Sequence, residues 1–203
     1  MQYASEGDLH NILRKKFTEI TWDKQKLAIL WQISEGLETI HKSDFIHRDF
    51  HSGNILSNLS NGKRHQWQIG DLGLSQPVNN TQSNNEIYGV IPYVAPEIFK
   101  GTAFSKESDI YCVDRPEITE DTPECYAELM KRCWDSDPTK RPLITEIRKT
   151  FGKCCSSIFS QDYNSIELEL DIDIKSSNIL GTKRNIEELE INSYGNSGKH
   201  IKN

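Results

Sequence analysis

His47-Arg48-Asp49-Phe50-His51-Ser52-Gly53-Asn54 is the stretch on which the reading of this chain turns. A carboxylate at 49 followed by a side-chain amide at 54 pairs a group able to take a proton from a hydroxyl with an oxygen donor for a divalent cation. Further on, Asp71-Leu72-Gly73 sets another carboxylate at the end of a predicted strand. Asn54 and Asp71 then bracket Asp49, and hard oxygen donors of this kind suit magnesium, not zinc.

The flanking sequence places these residues on loops. Between Trp22 and His41 the apolar residues Leu27, Leu30, Ile33, Leu37 and Ile40 recur at three- and four-residue steps, which predicts a helix with one buried stripe. Asp23, after Thr21, offers a first-turn acid or cap. Asn54-Ile55-Leu56 and Gln66-Trp67-Gln68-Ile69 are short apolar pieces, and Asn61-Gly62 between them signals a hairpin. Residues 74–86 are polar and read as a loop inside a domain. A second helix is predicted from Pro123 to Trp134, with Thr122 as its cap, and a third opens at Pro142 and carries Ile144, Ile147 and Phe151.

The chain has 203 residues, enough for one ordinary domain and a tail. All four tryptophans and all seven prolines precede Gly152, so the boundary is placed there: a domain over 1–152 and a polar, poorly ordered tail over 153–203. Within the tail, Ile166 to Ile174 alternates apolar and acidic residues. That pattern fits a solvated segment, or else an edge or partner-binding strand. Twenty-four basic residues against thirty acidic ones give a net charge of −6, which argues against a general nucleic-acid or anionic-membrane binder. No uncharged apolar run reaches the length of a membrane span, and Met1-Gln2-Tyr3-Ala4-Ser5-Glu6-Gly7-Asp8 lacks the pattern of a signal peptide. Five cysteines without a Cys-x-x-Cys pair favour neither a disulfide framework nor a zinc site. The chain therefore reads as intracellular, cytoplasmic and reduced, with Cys154-Cys155 as surface thiols.

Taken together, these motifs resemble a protein kinase catalytic domain, closest in look to the tyrosine-kinase-like branch. The matching residues are the His47-Arg48-Asp49 to Asn54 loop, Asp71-Leu72-Gly73 in the place of the magnesium-binding Asp-Phe-Gly, and Ala95-Pro96-Glu97 at the close of the activation segment. Ser108-Asp109-Ile110-Tyr111 resembles the start of the helix beneath the catalytic loop, and Cys133-Trp134 with Pro138, Arg141 and Pro142 resembles the late signature. The resemblance implies that Asp49 accepts the proton of a protein hydroxyl, and that Asn54 and Asp71 hold Mg2+ on the phosphates of ATP. It implies that His47 and Gly73 are supports, that Arg48 meets a phosphorylated activation segment, that Asp109 braces the loop, and that Arg141 pairs with Glu97. Ser75, Thr81, Ser83 and Tyr88 are the candidate phosphosites. Gln2, Tyr3, Ala4 and Asp8 resemble the nucleotide-binding hinge. Serine/threonine specificity is favoured over tyrosine, although His51 stands where many serine/threonine kinases carry lysine and Val90 where they place threonine.

The sequence contains no Gly-x-Gly-x-x-Gly and no Val-Ala-Ile-Lys strand, the two parts that grip ATP phosphates in this family. After Tyr111 it passes directly to residues resembling those beyond a long buried helix. The expectation is a mainly α fold with a small β-hairpin region, a kinase-like large lobe lacking the small lobe and the central support helix. Function is expected to be ATP-dependent phosphoryl transfer to a protein substrate, impaired in this chain. The alternatives are a non-catalytic module that binds a substrate or partner kinase, or an incomplete gene model.

Overall fold

The computed structural model describes residues 4–16, 19–60, 64–79, 93–112 and 118–158. In chain order the elements are β1 (Gly7–Asp8), α1 (Leu9–Lys16), α2 (Leu27–Lys42), β2 (Phe45–Ile46), β3 (Ile55–Ser60), β4 (Arg64–Ile69) and β5 (Gln76–Pro77). They are followed by α3 (Pro96–Phe99), α4 (Lys106–Tyr111), α5 (Glu124–Cys133) and α6 (Ile144–Ile158). The fold is helical with small antiparallel sheets.

The long predicted helix forms, but in two parts. A wide turn over Trp22–Lys26, in which Lys26 N–H reaches back to the Thr21 carbonyl at 3.1 Å, leads into α2. The burial of α2 exceeds one stripe. Leu27, Leu37 and Ile40 are buried as expected, whereas Leu30 and Ile33 are half-buried. Gln32, Ser34, Glu35, Glu38 and His41 are buried beside them. The cause is cover on several sides. Trp67 N–H of β4 donates to Gln32 Oε1 at 3.1 Å, and Arg148 of α6 reaches Glu38 Oε2 at 2.5 Å. Gly36 allows β4 to approach, since a Cβ there would lie 3.1 Å from Ile69 Cδ1.

The predicted hairpin is present as β3 and β4, paired from Ile55↔Ile69 to Ser60↔Arg64, with β1 added on the outer edge of β3. Its Asn61-Gly62 turn lies outside the described residues. A second sheet, absent from the sequence reading, pairs Phe45↔Pro77 and Ile46↔Gln76. Two residues per strand leave no periodicity to detect, and the first residues of the predicted loop are therefore held rather than free.

α5 starts at Glu124 after Pro123. Thr122 is not its cap: its hydroxyl accepts from Thr119 N–H at 3.0 Å, closing the preceding turn instead. α6 begins at Ile144, buries Ile147 and Phe151, and runs through Gly152 without a break to Ile158. That continuation corrects the cysteine reading. Cys154 and Cys155 are both 2% exposed, because they follow Phe151 by three and four residues on the same inward side of the helix. Cys154 is joined to Cys125 of α5 as a disulfide, with a Cα–Cα distance of 6.5 Å.

One core unites these elements. Leu27, Leu37 and Ile40 of α2 join Tyr126 and Met130 of α5 and Ile147 and Phe151 of α6. Trp22 packs on Tyr126 with ring centroids 4.5 Å apart. Among the described residues the place beside α2 is filled by α6. A smaller cluster of Val94, Ala95 and Ile98 seats α3. No helix among the described residues is long and apolar enough to cross a membrane.

Candidate active site

The loop between β2 and β3 is fixed from below by one carboxylate. Asp109 of α4 is fully buried. Its Oδ2 accepts from His47 N–H at 2.8 Å and its Oδ1 from Arg48 N–H at 2.9 Å, while Oδ2 also lies 2.9 Å from His41 Nε2 of α2. Arg48 has φ of 71°, a left-handed conformation that is uncommon for a side-chain-bearing residue. Two amides pinned to one carboxylate give a physical reason for its persistence. α4 owes its own start to Ser105 and Ser108, which form a reciprocal capping box.

His47 is fully buried and both ring nitrogens have partners. Nδ1 accepts from Asp49 N–H at 3.3 Å, which leaves Nε2 to donate to the Gly70 carbonyl at 3.1 Å. With both nitrogens in use, it supports the loop and ties it to the residue before Asp71.

Asp49 and Asn54 converge. Asn54 Nδ2 donates to the Asp49 backbone carbonyl at 2.8 Å and to Asp49 Oδ2 at 3.2 Å. Both amide hydrogens are thereby directed to one residue, which leaves the Asn54 Oδ1 lone pairs on the opposite side of the amide. Asp71 is brought alongside through the backbone, because Gly70 N–H donates to the Asn54 carbonyl at 2.8 Å next to the Ile55↔Ile69 pair. A Cβ at Gly70 would lie 2.6 Å from Leu56 Cδ1, so a side chain there would require Leu56 to shift. Asp71 is exposed, has φ of 50°, and accepts from Gly73 N–H at 3.3 Å. The amide oxygen of Asn54 and the carboxylate of Asp71 are a hard donor set that fits Mg2+, an ion that keeps several waters and shares phosphate oxygens. Among the described residues no group of three or more His, Cys, Asp or Glu forms a metal cage.

His51 is the neighbour that the sequence reading did not include in the site. Its Nδ1 accepts from Gly53 N–H at 3.0 Å, and its Nε2 lies 3.6 Å from Asp49 Oδ1 and 3.3 Å from Asn54 Nδ2. The ring stacks against Tyr93 at a centroid distance of 6.3 Å. The available signal was Gly53: a Cβ there would sit 2.8 Å from the His51 ring, so the bare backbone makes room for it.

The remaining candidates are distributed around this centre. Arg48 is buried, with its guanidinium 4.7 Å from the Phe104 ring and Nη1 3.5 Å from the Leu74 carbonyl. Ser75, the one candidate phosphosite among the described residues, donates its hydroxyl to the His47 carbonyl at 3.3 Å. Thr81, Ser83 and Tyr88 lie outside the described residues, as do Gln2 and Tyr3 of the expected hinge. Ala4 is half-buried. Asp8 caps α1: its Oδ1 accepts from Asn11 N–H at 2.8 Å and its Oδ2 from Asn11 Nδ2 at 2.7 Å. Those bonds hold its carboxyl below the usual range. Glu97 and Arg141 form a buried bidentate pair at 2.6 and 2.7 Å.

Comparison with known proteins addresses the family of the chain. The family model described as "Protein kinase domain" matches residues 1–115. Similar curated proteins from Dictyostelium discoideum include the probable serine/threonine-protein kinase pats1, 28% identical over 78% of this chain and 6% of its own length. Cyclic GMP-binding protein C is 26% identical over 75% of this chain and 7% of its own length. A probable LIM domain-containing serine/threonine-protein kinase is 26% identical over 77% of this chain and 19% of its own length. The chain thus spans less than a fifth of the length of each. With residues 1–115 of its 203 matched by the family model, this chain belongs to the protein kinase family.

Proposed function

We propose that these residues form the acceptor and metal side of a serine/threonine protein kinase site. The observation that carries this reading is the pair of hydrogen bonds from Asn54 Nδ2 to Asp49, beside an Asp71 linked through the Asn54–Gly70 bond. In this reading Asp49 orients the hydroxyl of a protein serine or threonine and takes its proton as the new bond to phosphorus forms. Asn54 Oδ1 and Asp71 hold Mg2+, which when bound neutralises charge on the ATP phosphates. Asp109 acts through the backbone by fixing the turn at His47 and Arg48.

Within these 203 residues there is no Gly-x-Gly-x-x-Gly and no Val-Ala-Ile-Lys sequence. Positioning and charge neutralisation supply most of the catalysis in phosphoryl transfer, so these residues alone hold ATP weakly and transfer slowly.

The test is phosphate incorporation into a generic protein acceptor with labelled ATP at millimolar concentration and Mg2+, for the chain and for Asp49→Asn. The expected result is slow incorporation that the substitution lowers by about 10²–10⁴-fold. Equal incorporation in both proteins would overturn the role of Asp49. Turnover as fast as that of complete protein kinases would overturn the proposed impairment.

A further inference from the structure

The disulfide between α5 and α6 has two unlike ends. Cys125 is exposed in the first turn of α5, whereas Cys154 is 2% exposed within the core. The other three cysteines are shielded as well: Cys112 is 5%, Cys133 0% and Cys155 2% exposed. Burial pushes all three thiols up, Cys133 to about 12 and Cys155 to about 11. Thiolates are the reactive form, so these three are inert in the folded chain.

We propose that the Cys125–Cys154 bond is a thiol-exchange site, opened at the Cys125 sulfur by a small monothiol of the glutathione class. In the first step the monothiolate attacks Cys125 Sγ. The Cys125–Cys154 bond breaks, a mixed disulfide forms on Cys125, and Cys154 leaves as a thiolate that takes a proton from water. In the second step another monothiolate attacks the outer sulfur of the mixed disulfide and releases Cys125 as a thiolate. The balance is two small thiols oxidised to one small disulfide and one protein disulfide reduced to two thiols.

The choice of sulfur follows from access. Attack on Cys154 would instead expel Cys125 as the leaving thiolate. That route requires the nucleophile to enter the core between α5 and α6, so the exposed sulfur is the one attacked. Exchange unties α5 from α6. α6 packs along α2, whose His41 contacts Asp109 beneath the catalytic loop, so the bridge ends in the framework that carries the site.

The experiment equilibrates the full chain in buffers of varied glutathione to glutathione-disulfide ratio, quenches in acid, alkylates free thiols and maps the peptides by mass spectrometry. The expected result is a linked Cys125–Cys154 peptide in oxidising buffer. As the reducing share rises, it gives way to chains thiolated on Cys125 and alkylated on Cys154. Cys154→Ser should still accept glutathione on Cys125, and Cys125→Ser should accept none without denaturant. No linked peptide at any ratio, or an adduct on Cys154 in the unmodified chain, would overturn the proposal. The readout does not depend on phosphoryl transfer.

Discussion

The Arg141 guanidinium holds both carboxylate oxygens of Glu97, at 2.6 and 2.7 Å, across 44 residues of sequence. The same side chain donates from Nη1 to the Glu107 carbonyl and from Nε to the Asp135 carbonyl, each at 2.9 Å, and lies over the Tyr111 ring. One cation thus ties α3 to α4 and to the turn after α5. Removing one partner leaves the other charge buried, which costs about 3–5 kcal/mol. Arg141→Ala is therefore expected to lower the free energy of unfolding by that amount in urea titration. A double replacement, Glu97→Leu with Arg141→Met, should restore most of the loss.

Asp109→Asn keeps the shape of the side chain but turns one oxygen into a donor that faces a backbone N–H. A buried group left without its partner costs about 1–3 kcal/mol. The effect should be local as well as global: amide exchange at His47 and Arg48 should accelerate more than amide exchange within β3 and β4. Uniform acceleration would assign Asp109 to general stability alone.

The capping contact of Asp8 sets a pH dependence. Its folded carboxyl titrates below the usual 3.8, chiefly because Asn11 N–H donates to the ionised form. The unfolded chain therefore binds the proton more readily, and stability rises with pH through this range. The contribution is complete above 3.8 and is lost as pH falls through the lower folded value. Asp8→Ala should cost about 1 kcal/mol near neutral pH, and Asp8→Asn should retain part of the cap while flattening this share of the acid slope.

Reduction of the Cys125–Cys154 bond, or Cys125→Ser, should lower stability by about 3.6 kcal/mol, the chain-entropy value for a separation of 29 residues. Unfolding monitored with and without a reductant measures it. Identical midpoints would mean that the tie does not restrain the unfolded chain.

The candidate site residues were legible because they lie in short motifs of neighbouring residues. Asp49, Asn54 and Asp71 sit in short motifs, and the hairpin that joins them follows from two apolar pieces around a turn signal. The supports were less legible when they depended on distant packing. The burial of Gln32 and Glu38 is decided by β4 and α6, neither of which has a local mark on α2. The β2–β5 pair is too short for periodicity, and the Cys125–Cys154 bridge depends on how α5 lies against α6 after α6 runs past Gly152. His51 illustrates the boundary between the two cases: its position was visible, but its closeness to Asp49 follows from a ring folded over Gly53.

The most direct measurement of the central claim is paramagnetic broadening of backbone amide signals on titration with the manganous complex of ATP, with Mn2+ standing in for Mg2+. The account predicts selective broadening around Asn54 and Asp71, reaching Asp49, that Asp71→Asn removes while the rest of the spectrum keeps its folded dispersion. Broadening spread over surface carboxylates, or unchanged by Asp71→Asn, would contradict it.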